Sequence, residues 1–234
     1  MSATLRKAFA ELLGTMLLVA TVIGSGIAAE RLSPDDVGLQ LLENSLVTGA
    51  GLVALILALG PVSAAFNPVV TLVERVLGAL TTAEAALFVS AQVVGGCAGA
   101  VLANLMFGLS AIDVSGHHRD GAGLLLGEVV ATFGLVLVVF GVVRSRPGAH
   151  VAYAVGAYIT AAYWFTSSTS FANPAVTIAR TLSDTFAGIA PASIPLFVLM
   201  QLLGGVVAVG AVAVLYPDAR QVADDVAHLE EVPS

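Results

Sequence analysis

Two Asn-Pro pairs stand out against apolar surroundings: Asn67-Pro68 in "FNPVVT" and Asn173-Pro174 in "FANPAVT". Asn is a strong helix N-cap, because its side-chain oxygen accepts a backbone N–H. Pro is favoured at the first helical position, where its missing N–H costs nothing. Each pair therefore predicts a helix start. A capping Asn keeps a side-chain amide to offer a passing oxygen. The helix behind it points the positive end of its dipole, roughly half a charge, the same way. Such a centre recognises a neutral, oxygen-bearing solute and opposes cations, protons included. Covalent chemistry is not indicated: no Ser/His/Asp, Cys/His or metal-ligand cluster lies in the apolar segments, so an enzyme is not expected.

The elements that must position these pairs follow from composition. The chain has 234 residues, 58% of them hydrophobic and 11% charged. A soluble domain carries about 25% charged residues, so lipid must be the solvent for much of this surface. Apolar runs long enough to cross a bilayer lie near 8–29, 40–60, 83–107, 122–143, 150–168 and 193–216. Turn signals such as "ERLSPDD", "TTAE", "SGHHRDG" and "RSRPGAH" separate them. Two shorter stretches begin at Asn67 and Asn173. At ~10 residues, or roughly 15 Å, each reaches half of a ~30 Å hydrocarbon core.

The net charge of −7 argues against nucleic acid as a partner, and much of it sits in the last residues. Cys97 stands alone, which excludes an intramolecular disulfide; in "GGCAGA" it reads as a small buried residue. The first apolar run follows Arg6 and Lys7 but is too long for a signal peptide, so it reads as a retained span. Arg6, Lys7, Arg75, Arg144, Arg146 and Arg220 fall on one side of the six spans, Arg31, Arg119 and Arg180 on the other. That bias places both termini in the cytoplasm and "YWF" (163–165) at the outer interface.

The two halves repeat one another. "AELLGTMLLV" (10–19) echoes "GEVVATFGLV" (127–136) and aligns Glu11 with Glu128. "FNPVVT" echoes "ANPAVT", and "AQVVGGCAGA" (91–100) echoes "MQLLGGVVAV" (200–209), aligning Gln92 with Gln201. Each half has three spans, so the copies insert with opposite orientation. The expected fold is an all-α integral membrane protein with six transmembrane helices, two half-helices and an inverted three-plus-three repeat. One channel domain covers 1–216 (repeat 1 about 5–107, repeat 2 about 122–216), and 217–234 forms an acidic cytoplasmic tail. Inverted symmetry sets the half-helices N-terminus to N-terminus at the midplane, where irregular backbone is tolerated if it lines a cavity.

This layout resembles the aquaporin, or major intrinsic protein, family across nearly the whole chain. The second motif, Asn173, Pro174, Ala175, matches the family's Asn-Pro-Ala; the first reads Asn67, Pro68, Val69. The resemblance implies a passive channel in the plasma (inner) membrane, a homotetramer with one pore per subunit, and no cofactor. It also implies a second constriction, the selectivity filter. The family's Arg after the second motif is Val176 here. Straight counting puts the second-span position at Val47; correcting for a shorter approach to Asn67 points to Thr48. The fifth-span position falls on Ala161 or Ala162, and the loop position on Ser170. Arg180, one turn beyond Val176, is expected near the outer mouth as a solvated or carbonyl-capping residue and not as a displaced filter Arg.

A filter of Thr, Ala, Ser and Val implies a wide, uncharged constriction with hydroxyls on its wall. That suits glycerol-like polyols, with some water. Val in place of Arg, with "SSTSFANPAVT", resembles bacterial members associated with arsenic resistance, thought to pass arsenite as uncharged As(OH)₃. The resemblance also implies that Glu11 and Glu128 brace the half-helix loops by accepting backbone N–H groups, with Gln92 and Gln201 as polar glue between helices. His117 and His118 read as a solvated loop in preference to a metal site. The alternatives are a coupled secondary transporter, which would use Glu11 or Glu128 as an ion site, and a plain water channel.

Overall fold

The computed structural model describes residues 1–145 and 149–216; Arg146, Arg220 and the acidic segment 217–234 lie outside the described residues. Its helices are α1 (Ala3–Leu32), α2 (Val37–Leu59), α3 (Pro68–Leu77), α4 (Thr82–Met106), α5 (Ala122–Ser145), α6 (Ala149–Phe165), α7 (Pro174–Ala179) and α8 (Ile194–Leu215). Five of these, α1, α2, α4, α5 and α8, are long and apolar enough to cross a membrane. The sixth long helix, α6, has 17 residues, at the short end of what a hydrocarbon core accepts.

Local chemistry sets the helix ends. Ser2 accepts from Leu5 N to open α1, and Asp36 accepts from Leu39 N to open α2. Thr81 and Glu84 form a reciprocal capping box at α4. Gly78, at φ 98°, ends α3 in the left-handed region that favours glycine.

The packing repeats itself between halves. α1 lies against α2 and α4, as α5 lies against α6 and α8; α3 packs on both α4 and α8, as does α7, which rests mainly on α4; α2 meets α6. Small residues permit these approaches. Gly95 and Gly99 of α4 sit directly on the Leu12 and Met16 carbonyls of α1, and Gly49 of α2 faces Gly156 of α6. The outward surface is apolar, with Val47, Leu57, Val94, Val206 and Val214 all exposed, whereas Glu11, Gln92, Glu128 and Gln201 are fully enclosed. Apolar outside and polar inside is the arrangement that lipid selects.

Three expectations need correction. α7 is six residues long and continues as a 3₁₀ turn, Arg180–Leu182, so the short helices are unequal. The reason lies in the loop after α4: Ser115 N donates to Thr181 O and Asp113 N to Leu182 O, drawing the chain off its helical path. Cys97 is half-buried, not buried. In "YWF", Trp164 and Phe165 are exposed at the end of α6 but Tyr163 is buried.

Candidate transmembrane pore

Both short helices begin as their residues dictate. Asn67 and Asn173 have extended backbone, and each is followed by Pro. Asn67 Oδ1 accepts from Val69 N at 2.9 Å; Asn173 Oδ1 accepts from Ala175 N at 3.0 Å and Val176 N at 3.3 Å. The side-chain amides then cross between halves. Asn67 Nδ2 donates to Ala172 O, and Asn173 Nδ2 donates to Phe66 O, both at 2.7 Å. One amide N–H of each Asn thus locks the opposite loop, and one is left over. The expectation of a wholly free amide is corrected to that extent.

The loops leading to these caps are strained. Phe66 and Ala172 both have φ 47°, and Thr169 and Ser170 have φ 60° and 52°, a region costly for residues with a Cβ. Two buried carboxylates hold them. Glu11 accepts from Ala65 N (2.9 Å), Phe66 N (2.7 Å), Ser63 Oγ (2.5 Å) and Gln92 Nε2 (2.7 Å). Glu128 accepts from Phe171 N and Ala172 N, each at 2.9 Å, and from Gln201 Nε2 at 2.6 Å. Gln92 and Gln201 also donate to Thr71 Oγ1 and Thr177 Oγ1 on the short helices. They tie carboxylate to half-helix, a more specific job than glue between spans.

One cavity runs through the protein from Lys7, near the chain start, to Arg180; its space, mouths included, is about 1150 Å³. Asn67 and Asn173 line its middle. The short helices each contribute a stripe at i, i+3 and i+7: Asn67, Val70 and Glu74 from one, Asn173, Val176 and Arg180 from the other. Toward the Arg180 end the wall adds Thr48, Tyr163, Ser170 and Phe171; Leu52 and Ile56 continue the α2 stripe from Thr48, Val155 and Ile159 the α6 stripe from Tyr163, and Val22, Leu135 and Val139 add further aliphatic lining. Pro68, Val69, Pro174 and Ala175 are buried behind their caps and outside the lining.

Of the filter positions expected, Thr48, Ser170 and Val176 fall in this wall. Val47 is 46% exposed on the outer surface of α2. Ala161 and Ala162 are corrected: Ala161 is exposed, Ala162 is buried away from the cavity, and the lining residues of α6 are Val151, Val155, Ile159 and Tyr163. Tyr163 shares a 3.2 Å hydrogen bond with Thr48 across the wall. Counting from Asn173 misses it because the left-handed turns at 169–172 alter how the loop spans the gap back to α6.

Arg180 is corrected as well. It is 2% exposed, lies in the cavity wall and is not solvated. It does cap a carbonyl, since its Nε donates to Ala187 O. Its guanidinium carbon lies 3.5 Å from the centroid of the Phe171 ring. The Arg180 end of the cavity therefore carries a guanidinium and an aromatic ring. A usable signal was present: Asn173, Val176 and Arg180 have the spacing of a single helical face, as do Asn67, Val70 and Glu74. His117 and His118 are exposed in the loop after α4, and His117 O accepts from Ala190 N.

Paired half-helices capped toward a shared centre, braced from behind and lined by one through-cavity, define an integral membrane channel. Comparison with known proteins agrees. The pattern described as "Major intrinsic protein" matches residues 1–160. The sequence is 50% identical over 218 residues to aquaglyceroporin AqpS of Rhizobium meliloti (strain 1021), covering 93% of each chain. It is 29% identical over 171 residues to aquaporin-5 of Ovis aries, covering 68% of this chain and 62% of that one. The fold matches the X-ray structure of the Plasmodium falciparum aquaglyceroporin with a TM-score of 0.73 at 19% identity, over 93% of this chain and 99% of that chain. The protein belongs to the major intrinsic protein family; its members are channels, not enzymes.

Proposed function

We propose that this channel passes small uncharged hydroxylated solutes, glycerol-like polyols and As(OH)₃, with some water. The observation that carries the reading is the mixed wall. Thr48, Tyr163, Ser170, Asn67 and Asn173 place hydroxyl and amide groups in the cavity lining, and aliphatic residues of α2, α5 and α6 line it as well. A polyol presents both hydroxyls and C–H groups, and this wall offers partners to each. The name of the Rhizobium relative, an aquaglyceroporin, supports the same class. The small Val176 leaves room that an Arg there would fill.

In this reading the chain sits in the plasma (inner) membrane with both termini cytoplasmic and the Arg180 end facing out. It assembles as a homotetramer with one pore per subunit. Asn67 and Asn173 offer their remaining amide N–H groups to passing oxygens, while the two half-helix dipoles oppose cations. Glu11 and Glu128 serve as braces and not as ion sites; their oxygens are occupied by loop N–H groups and glutamine amides.

The test is permeation in proteoliposomes. Shrinkage and reswelling in glycerol, water flux and arsenite uptake are compared with empty liposomes. Rapid water flux with glycerol and arsenite both excluded would sink the polyol reading in favour of a plain water channel. Uptake driven by an imposed pH gradient or potential would replace the channel with a coupled transporter.

A further inference from the structure

A second cavity opens at the Arg180 end, lined by Asn44, Arg119, Thr169, Arg180 and Phe186, with Val37 and Leu41. Arg180 belongs to both walls and so stands between this vestibule and the pore. Arg119 comes from the loop after α4 and is anchored three ways. Its N donates to Ser193 Oγ (3.0 Å), its Nε to Gly188 O (2.9 Å) and its Nη2 to Phe186 O (3.3 Å). Its guanidinium carbon lies 4.9 Å from the Phe171 centroid, over the ring that also carries Arg180.

Two guanidinium groups held on one ring repel each other, and the ring quadrupole offsets only part of that cost. Neither is hydrogen-bonded to a carboxylate among the described residues. Asp184, in the adjoining loop, is turned to Ser115 Oγ and Gly116 N. Glu128 attracts both cations at a distance, but its oxygens are held by Phe171 N, Ala172 N and Gln201. Both Nη atoms of Arg180 and Nη1 of Arg119 have no hydrogen-bond partner among the described residues, beyond the Nε and Nη2 bonds already given. Arg180 is buried and Arg119 half-buried, each keeps N–H groups open to the vestibule, and a bound anion would offset the cost of holding two cations there.

An independent observation specifies the anion further. Asn44 is 1% exposed and lines the vestibule. Its Nδ2 donates to Val22 O (2.9 Å) and Ser25 Oγ (2.8 Å), which fixes the orientation of the amide, since Val22 O can only accept. Asn44 Oδ1 is then a buried acceptor with no donor. A ligand that satisfied this site would bring charged oxygens to the arginines and a hydroxyl to Asn44.

We propose that the vestibule binds a small oxyacid anion that retains a hydroxyl group, held by Arg119 and by Arg180, the residue shared with the pore wall. This site shares Arg180 with the pore wall but does not depend on which neutral solute the pore conducts.

The experiment is an equilibrium titration of purified protein in nanodiscs with inorganic phosphate in mildly acid buffer, read by ³¹P line broadening. Formate, an anion without a hydroxyl, serves as competitor. Wild type should broaden the phosphate line saturably, and phosphate should outcompete formate. Arg119→Gln and Arg180→Gln should each weaken phosphate at least about tenfold, the usual loss for a charge-assisted hydrogen bond. Asn44→Leu should weaken phosphate but not formate. Thermal unfolding checks that each variant is folded; if Arg180→Gln is not, Arg119→Gln decides, because Arg119 binds only loop groups. Absence of saturable broadening by wild type, or equal broadening by the arginine variants, overturns the proposal and leaves a vestibule that holds only water. No flux enters this measurement, so exclusion of glycerol in liposomes would defeat the polyol reading and leave this one standing.

Discussion

The hydroxyls of Thr48 and Tyr163 lie 3.2 Å apart, both in the cavity wall and both almost fully buried. One proton serves the shared bond, which leaves the other hydroxyl hydrogen and spare lone pairs for a further partner. α2 and α6 can bring these groups together because Gly49 and Gly156 let the two helices touch. The double variant Thr48→Val/Tyr163→Phe removes both hydroxyls with little change in shape. At ~1 kcal/mol per hydrogen bond, glycerol flux in proteoliposomes should fall several-fold to about tenfold, and water flux much less. A matched fall in both would show that these hydroxyls do not meet the solute.

Replacing the brace should cost stability before it alters selectivity. Glu128→Gln keeps the shape but sets an NH₂ against the donors at Phe171 N, Ala172 N or Gln201. The left-handed backbone at Thr169, Ser170 and Ala172 then loses its anchor. A loss of about 2–4 kcal/mol is expected, seen as a lower unfolding midpoint in detergent together with reduced flux of every solute. By symmetry Glu11→Gln should behave alike. An unchanged midpoint would mean that the loop strain is carried elsewhere.

Close helix contact gives a sharper contrast. Gly99→Ala drives a Cβ into the Met16 carbonyl, backbone that cannot move aside, whereas a methyl added at Gly210 would meet nothing within 4 Å. Gly99→Ala should destabilise by about 1–3 kcal/mol or prevent assembly. Gly210→Ala should leave the unfolding midpoint unchanged or raise it slightly, through helix propensity. Equal midpoints for the two variants would contradict the α1–α4 packing described.

Val176→Arg places a second guanidinium on the stripe that already ends in Arg180. The pore narrows between Asn173 and the mouth. Glycerol and arsenite flux should drop by an order of magnitude or more, with water flux reduced less, because one water needs far less room than a polyol. Parallel stopped-flow measurements on the same vesicles decide it; uniform inhibition would place Val176 off the conducting path.

Much of this molecule was open to reading from the chain alone. Asn-Pro starts, run lengths and the order of repeated marks rest on local rules, namely capping, helix rise and lipid thickness, and these operate within a few residues. They announced two short helices, six long ones and the inverted halves. The matching of Glu11 and Glu128 to the loops came from the family resemblance, since the two copies lie at unequal sequence distances from their loop partners, 54 and 55 residues in one half and 43 and 44 in the other. The identity of the cavity-facing residue on α6 could not be read this way. It depends on how Thr169, Ser170 and Ala172 turn through left-handed backbone, and a rotation of one residue moves a helical side chain by about 100°. Ala161, Ala162 and Tyr163 therefore have different surroundings despite being neighbours in sequence. Arg180 is the other case: its spacing was visible, but only the fold supplies the Phe171 ring, the Ala187 carbonyl and Arg119 beside it. Sequence determined where helices begin and what surrounds them; tertiary structure decided which side chains face the hole, because that depends on rotation and register between elements far apart in the chain.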